Sequence, residues 1–230
     1  MKAASLDQFH NRSFDGLEFC RLAYAFFEEV RSGPDGVAVL RKRPRAVKKL
    51  LEELLPICRY VQANYGPGRY MSVRWINGRQ TFDAQIETTG AFVDNGGWPR
   101  SAAVEVTAAV HANDHLMREL LNTGTPVFGV EGIERTKDED GKRLIVSKPT
   151  SYNNQSYIET FKQIVIASIA AKVSKQYPQD TTLIVDCSLH TVFLRDEWEE
   201  MIRRVREACP AHEFREIFMT DGARGFTAVL

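Results

Sequence analysis

TFDAQIET, residues 81–88, and SAAVEVTAAV, residues 101–110, are the two stretches that decide the fold of this chain. Both have the length and composition of β-strands, and a loop with three glycines and a proline joins them. Because side chains alternate faces along a strand, Asp83 and Gln85 share one face of the first strand. The second strand is small and apolar apart from Glu105, and a lone carboxylate in a buried strand needs a cation or an open cleft beside it. Asp83 and Glu105 are therefore the pair that the fold must explain.

Length and composition predict one domain, residues 1–230. The chain has 30 Lys and Arg and 30 Asp and Glu, so its net charge does not attract nucleic acid or anionic lipid, and such a partner needs a local patch. The four cysteines are scattered, which is typical of free thiols in a reducing compartment. The N-terminal segment lacks the apolar run of a signal peptide, and no apolar run is long enough to cross a bilayer. We therefore expect a cytoplasmic protein with no membrane partner.

Helices and strands are predicted along the rest of the chain from apolar periodicity. Helical spacing predicts helices at 17–31, 44–64, 114–122, 153–176 and 196–208. We expect Pro56 to kink or divide the second of these helices. Alternating or β-branched runs predict strands at 69–76, 127–136, 143–147, 181–187 and 213–220. Asn77-Gly78 is expected to turn the chain from the strand at 69–76 into the strand at 81–88.

This order of elements resembles the core of the PD-(D/E)xK phosphodiesterase superfamily, the restriction-endonuclease-like fold. That core is a helix, a three-strand meander, a helix and a further strand, with acids on the second and third meander strands. The chain is similar to it from about residue 17 to residue 187. The resemblance implies an α/β fold, with a restriction-endonuclease-like mixed sheet flanked by helices, and assigns these segments: N-terminal helices 17–64, a core of sheet and helices 69–187, an inserted β-hairpin 125–148 and a C-terminal helix-strand extension 195–220.

The resemblance implies a metal-dependent nuclease that hydrolyses phosphodiester bonds in nucleic acid. Phe82-Asp83 stands where the family has Pro-Asp, and Glu105-Val106-Thr107 stands where the family has (D/E)xK. The carboxylates of Asp83 and Glu105 and the main-chain carbonyl of Val106 are hard oxygen ligands of the kind that Mg²⁺ or Mn²⁺ prefers, with one or two ions per site. A metal there would stabilise charge on the phosphate and lower the pKa of a bound water.

The third position of the motif departs from the family. Thr107 has neither the charge nor the reach of the lysine that orients or activates the attacking water in the family. Some members place that lysine on a nearby helix, so Lys162 is the first candidate for a replacement, followed by Lys172 and His111. Gln85 is expected to point the same way as Asp83 and to position the substrate or a water.

Structural explanations compete with this hypothesis. Asp83 and Glu105 could pair with Arg74 and Arg69 across the meander or with a helix lysine, and Lys162 could simply pair with Glu159 one helical turn away. The alternative function is then a catalytically inactive restriction-endonuclease-like α/β module that acts as a binding or assembly protein. Glycine-rich phosphate loops, nucleophile elbows and HExxH motifs are absent from the sequence, which argues against nucleotide-binding, α/β-hydrolase and common zinc-hydrolase functions.

A dense run of positive charge lies between the first two predicted helices. Such a run can contact nucleic acid phosphates, although a solvated helix start with several basic residues is the commoner interpretation. A homodimer is the other partner that the sequence leaves open. The run consists of Arg41, Lys42, Arg43, Arg45, Lys48 and Lys49.

Overall fold

The computed structural model describes residues 5–151, 153–190, 192 and 194–230, so residues 1–4 of the N-terminal segment discussed above lie outside it. The helices in these ranges are α1 (Gly16–Ser32), α2 (Gly36–Lys42), α3 (Arg45–Lys49), α4 (Leu55–Asn64), α5 (Ala91–Asp94), α6 (Asp114–Asn122), α7 (Asn154–Val173) and α8 (Arg195–Ala208). The strands are β1 (Ser13–Asp15), β2 (Tyr70–Trp75), β3 (Ala84–Thr89), β4 (Ser101–Ala109), β5 (Ile133–Lys137), β6 (Arg143–Ser147), β7 (Thr182–Cys187), β8 (Glu216–Asp221) and β9 (Thr227–Val229).

Across the described residues, seven strands form one mixed sheet in the order β1-β2-β3-β4-β7-β8-β9. Neighbouring strands from β1 to β4 are antiparallel, β7 is parallel to both β4 and β8, and β9 closes the sheet antiparallel to β8. Strands β5 and β6 form a separate hairpin between α6 and α7. The structure therefore confirms the prediction of an α/β fold with a mixed sheet flanked by helices.

Helices cover both faces of the sheet. On one face, α1 and α4 pack against apolar side chains of β2, β3 and β4, such as Val73, Ile86 and Val104. On the other face, α7 and α8 cover Leu183 of β7 and Ile217 of β8. Burial of one such side chain stabilises the fold by roughly 1.5 to 3 kcal/mol. The apolar centre of α7 is explained because this helix packs both on the sheet and on α8.

The helix predicted at 44–64 is divided, as expected from Pro56. Helix α3 runs into a π-helical turn at Leu50–Leu54, where the N–H of Leu55 donates to the carbonyl of Leu50, and α4 begins at Leu55. Pro56 has no N–H to donate to the carbonyl of Glu52, and its ring crowds that carbonyl, so a regular α-helix cannot continue through this turn.

Several boundaries differ from the predictions. Strand β3 begins at Ala84 instead of Thr81, so the connection from β2 is longer than a two-residue turn at Asn77-Gly78. The side-chain amide of Gln80 stabilises this loop by donating to the carbonyls of Ile76 (2.7 Å) and Phe82 (2.8 Å). The sequence did not predict α2, α5, β1 or β9, which are too short to show a periodic pattern. Strands β5 and β8 also start later than expected.

The sheet has a free edge beside β4. Pairing of β3 with β4 ends at Ala84 opposite Val104, whereas β4 remains paired with β7 as far as Ala109 opposite Cys187. In the described residues, the segment 105–109 therefore has a strand on one side only. Backbone groups on the other side of this segment are open to side chains and ligands.

Two predictions about the whole chain can also be compared with the structure. Cys20, Cys58 and Cys187 are buried and Cys209 is half-buried, and all four are free thiols, as interpreted from the sequence. In the ranges that the structure describes, no helix is both long enough and apolar enough to cross a bilayer.

Candidate active site

The free edge of β4 opens into a cavity of about 600 Å³. Asp83 and Glu105 both line this cavity, so the structure brings the two acids together at the end of β3 and the middle of β4. The other residues that line it are Arg43, Lys48, Glu52, Glu53, Val106, Thr107, Ala108, Val110, His111, Ala112, Asp114, His115, Arg118 and Lys172.

Asp83 is held by the backbone of β4. The Val106 N–H donates to Oδ2 of Asp83 over 2.9 Å, and the Asp83 N–H donates to the carbonyl of Val104 over 2.8 Å. The carboxylate thus takes a place that a strand carbonyl would fill if β3 extended further. Because N–H and C=O of one residue point to the same side of a strand, the Val106 carbonyl also faces this edge.

Negative charge accumulates around Asp83. Burial raises the pKa of Asp83 to about 7, helped by the nearby charges of Glu105 and then Glu53, while the hydrogen bond from Val106 acts in the opposite direction. A cation in the cavity would relieve this repulsion. The arrangement is that expected of a site that binds positive charge.

Glu105 is 7% exposed, and the ammonium of Lys172 pairs with its Oε1. Lys172 belongs to the last turn of α7, which crosses the sheet next to β4. The hydroxyl of Ser168, one turn earlier, lies 3.5 Å from the carbonyl of Ala108. This contact shows which residues of the helix lie beside which residues of the strand. The structure therefore places the ammonium group of Lys172 beside Glu105, a positive charge that Thr107 cannot supply.

The first candidate for this lysine is placed elsewhere. Lys162 pairs with Glu159 on the same helix, which lowers the pKa of Glu159, and it does not line the described cavity. Lys162 precedes Lys172 by about 15 Å along the helix axis, at 1.5 Å per residue. Lys172, the second candidate, is therefore the lysine next to the acids. Lys162 instead forms the ion pair with Glu159 that is expected if this lysine has only a structural role.

Gln85 also lies outside the cavity. Its Oε1 accepts a hydrogen bond from Arg74, its Nε2 donates to the hydroxyl of Ser101 over 2.8 Å, and it lines a separate hollow with Glu87. The expected shared direction of Asp83 and Gln85 is not observed because Asp83 precedes the first regular residue of β3 and turns toward β4.

The two arginines proposed as alternative partners of the acids are engaged elsewhere, whereas the other alternative, pairing with a helix lysine, is observed between Lys172 and Glu105. Arg74 donates to Gln85, and Arg69 donates to Oδ1 of Asn64 over 2.8 Å. Among the described residues, neither arginine forms an ion pair with Asp83 or Glu105.

Glu53 is a charged residue of the site that the sequence did not reveal. It lies in the π-helical turn, where Lys49 pairs with its Oε1 at 2.9 Å and the indole N–H of Trp75 donates to its Oε2 at 3.0 Å. Both oxygens are thus engaged, and Glu53 acts on Asp83 through its charge. The π turn shifts the helical register, so regular spacing could not place Glu53 at the cavity.

Tyr177 is a second residue that the sequence did not single out. Burial and the charges of Glu105 and Asp83 raise its pKa, which places the phenol next to the acid pair. A contact between its hydroxyl and Glu105 contributes to this rise, although within the part of the chain that the structure describes the contact does not have the geometry of a regular hydrogen bond. A neutral hydroxyl donor therefore lies beside Glu105, outside any sequence motif.

Basic residues also line the cavity, each paired with a carboxylate. Arg43 and Lys48 of the predicted basic run line it, together with Arg118 of α6. His111 also lines it, and burial lowers the pKa of this histidine.

The rest of the basic run is not gathered into one patch. Arg41 donates to the carbonyl of Leu121 over 2.7 Å and ties α2 to α6, and Lys49 pairs with Glu53. Lys42 and Arg45 are exposed, and neither lines the cavity that the structure describes.

The donor atoms fit a small hard cation. Carboxylates of Asp83 and Glu105 and the carbonyl of Val106 are oxygen ligands, and Mg²⁺ commonly uses one or two carboxylates and keeps several waters. Within the described residues, no group of three or more His, Cys, Asp or Glu side chains is placed to hold a metal. A metal here would therefore depend on two carboxylates, a carbonyl, water and substrate.

Comparison of the chain with known protein families, curated proteins and solved structures found no match. The chemistry of the site is therefore inferred from its own geometry.

Proposed function

We propose that this protein is a metal-dependent nuclease of the restriction-endonuclease-like type, which hydrolyses phosphodiester bonds in nucleic acid. The observation that carries the proposal is the meeting of Asp83, Glu105 and Lys172 at the free edge of β4. Two acids from adjacent strands and a lysine from α7 have the residue types of the PD-(D/E)xK pattern, with Lys172 supplying the charge that Thr107 lacks.

Each residue has a distinct role in this proposal. Asp83, Glu105 and the Val106 carbonyl would hold Mg²⁺ or Mn²⁺, which when bound stabilises charge on phosphate and acidifies water. Lys172 exchanges its contact with Glu105 for the attacking water or a phosphate oxygen, which it orients and stabilises. The Val106 N–H keeps the Asp83 carboxylate directed into the cavity.

The reaction consumes one water. Its oxygen forms a bond to phosphorus, and one phosphorus–oxygen ester bond breaks. The departing oxygen takes a proton, so the products are a phosphomonoester and an alcohol. An in-line displacement of this kind requires positioning and charge stabilisation more than covalent catalysis.

The charges in the cavity explain why a metal would be required. The described lining carries four cations and five carboxylates, so it has a net charge of −1 when all are ionised, and a phosphate would be repelled from the acidic end. One divalent cation reverses this sign. The residues counted are Arg43, Lys48, Arg118 and Lys172 against Glu52, Glu53, Asp83, Glu105 and Asp114.

Two lysines on α7 provide the sharpest test. Cleavage of single- and double-stranded DNA and RNA is measured with Mg²⁺ or Mn²⁺ for the wild type, Lys172→Gln, Lys162→Gln, Asp83→Asn and Glu105→Gln. We expect Lys172→Gln to lower kcat by about 10² or more, the scale of one lost electrostatic or acid–base contact. The matched Lys162→Gln, which loses only the ion pair with Glu159 within the same helix and away from the cavity, should remain within about twofold of the wild type.

A second function is favoured by one observation, the closed pair between Lys172 and Glu105 in the free protein. A fold that has kept the acids only for structure would retain this pair and act as a binding or assembly module. Absence of metal-stimulated cleavage on all four substrates, with a folded wild-type protein, would support that module. Equal activity of the wild type and both acid variants would remove Asp83 and Glu105 from the mechanism.

A further inference from the structure

Two arginines from different helices lie near each other in the lining of the cavity. Arg43 ends α2, and Arg118 lies in the middle of α6. Burial and then the charge of Arg43 lower the pKa of Arg118, and Glu52 only partly compensates. Two like charges thus lie near each other in a half-buried position, each oriented by its own carboxylate, Glu52 for Arg43 and Asp114 for Arg118.

Both guanidinium groups keep donors free for an anion. An arginine has five N–H donors. Arg43 pairs with Glu52 through Nη1 at 3.0 Å, and its buried Nε has no hydrogen-bond partner among the residues that the structure describes. Arg118 uses Nη1 for the buried carboxylate of Asp114. Their ion pairs orient the two side chains without using all their donors.

We propose that Arg43 and Arg118 form a binding site for one phosphate group of the nucleic acid strand, next to the phosphodiester that Asp83 and Glu105 would hydrolyse. The inference rests on the proposed function, since it assigns the occupant of the same cavity. Planar guanidinium groups bind phosphate through paired, charge-assisted hydrogen bonds, which a carboxylate-rich metal site cannot provide. Lys48, which is exposed at the rim, adds positive charge on the same side.

The positions of the acids and the arginines indicate how a nucleic acid strand would lie in the cavity. The catalytic acids lie just before the start of β3 and on β4. The two arginines come from the C-terminal end of α2 and from α6, which contact each other. A strand that places one phosphate on the arginines brings a neighbouring phosphate toward the acids. Binding energy from a non-reacting part of the substrate then positions the reacting part.

Salt dependence of binding measures this contact directly. Affinity for a fluorescein-labelled oligonucleotide, single-stranded and as a duplex, is measured by fluorescence anisotropy in Ca²⁺ over a range of KCl concentrations. We expect Arg43→Gln to weaken binding about tenfold, as for a lost hydrogen bond to a charged group. The slope of log K against log salt should fall in magnitude by about 0.7 for the single strand and 0.9 for the duplex, which is one phosphate contact.

Two further variants control for folding and general charge. Arg43→Lys keeps the charge beside Glu52, so it should keep the wild-type salt slope but still lose affinity because the paired donors are gone. Arg203→Gln removes an exposed arginine of α8 that pairs with Glu200 and Glu207, and it should change neither quantity. Wild-type affinity and slope in a folded Arg43→Gln or Arg43→Lys protein would overturn the proposal.

Competition with inorganic phosphate separates the two sources of a phosphate group. If the site serves a backbone phosphate, free phosphate should displace the oligonucleotide only at much higher concentration, whereas binding of free phosphate with equal strength would refute the assignment to a strand. The two proposals also fail differently. Oligonucleotide binding through Arg43 without any cleavage contradicts the nuclease alone, and cleavage with unaltered binding in Arg43→Gln contradicts the phosphate site alone.

Discussion

At the scale of single residues, Asp83 controls how the site responds to pH. Its pKa is raised to about 7 in the folded protein, whereas an unfolded aspartate titrates near 3.9. Between these values the folded state holds a proton that the unfolded state has lost. The free energy of unfolding should therefore fall as pH rises from about 4 to about 7 and then level off.

Asp83→Asn is expected to remove this dependence. The amide oxygen can still accept the Val106 N–H, but no charge is buried, so without metal the variant should be more stable than the wild type near pH 8 by on the order of 2 to 4 kcal/mol. Below about pH 4 the two proteins should be equally stable. Urea unfolding with EDTA present at several pH values measures both.

Glu53→Gln is the matched control for this explanation. It removes one of the charges that raise the pKa of Asp83 and keeps an oxygen for the indole N–H of Trp75. The pH at which stability levels off should therefore move to a lower value. A wild-type curve that is flat between pH 4 and pH 7 would contradict the burial of an uncompensated Asp83 carboxylate.

At the scale of elements, α7 is the helix that delivers Lys172. Its first turn is capped by Asn153, whose side chain accepts the N–H of Gln155 over 2.9 Å. Asn153→Ala should lower the free energy of unfolding by about 1 kcal/mol, because a helix N–H loses its partner. Asn153→Ser, which keeps a capping oxygen, should restore most of that loss in the same urea titration. Equal stability of the alanine and serine variants would show that the cap contributes nothing.

The same helix shows how far sequence could predict the site. Its extent and its cap follow from apolar spacing and from Asn153, and Lys162 and Lys172 were both recognised as candidates. Choosing between them requires the alignment of α7 against β4, which the long segment between β4 and α7 leaves undetermined in the sequence. The contact between Ser168 and Ala108 settles that alignment and brings Lys172 to Glu105.

Irregular backbone explains the other differences. The π-helical turn places Glu53 at the cavity against the regular helical spacing, and the late start of β3 leaves Asp83 outside the strand and turned away from Gln85. Regular strands and helices were predictable because one face of each is buried and repeats with a fixed period. Residues that line the cavity occur where that period is broken, which sequence patterns do not mark.

At the scale of the whole molecule, charge is balanced in number. The chain has equal numbers of acidic and basic residues, and in the cavity Arg43 and Arg118 are each paired with a carboxylate, whereas Asp83 lies near the charges of Glu105 and Glu53. A chain without net charge has no general attraction for nucleic acid, so the proposed nuclease would depend on a local site that a cation completes.

Metal binding should therefore stabilise the folded protein. A ligand that binds only the folded state raises the free energy of unfolding by about 2.7 kcal/mol at a hundredfold excess over Kd. We expect Mg²⁺ or Mn²⁺ to raise Tm of the wild type in calorimetry, and EDTA to reverse the change. Asp83→Asn and Glu105→Gln should abolish the shift, because each removes one of the two carboxylate ligands.

Glu87→Gln is the control that distinguishes metal binding at the acid pair from general screening of charges by the metal salt. Glu87 is an exposed carboxylate on β3, the strand that Asp83 precedes, but it lines the hollow beside Arg74 and Gln85. Its variant should show the full wild-type rise in Tm. If all three carboxylate variants respond as the wild type does, the cation binds elsewhere, and the acid pair at the free edge of β4 has a structural role only.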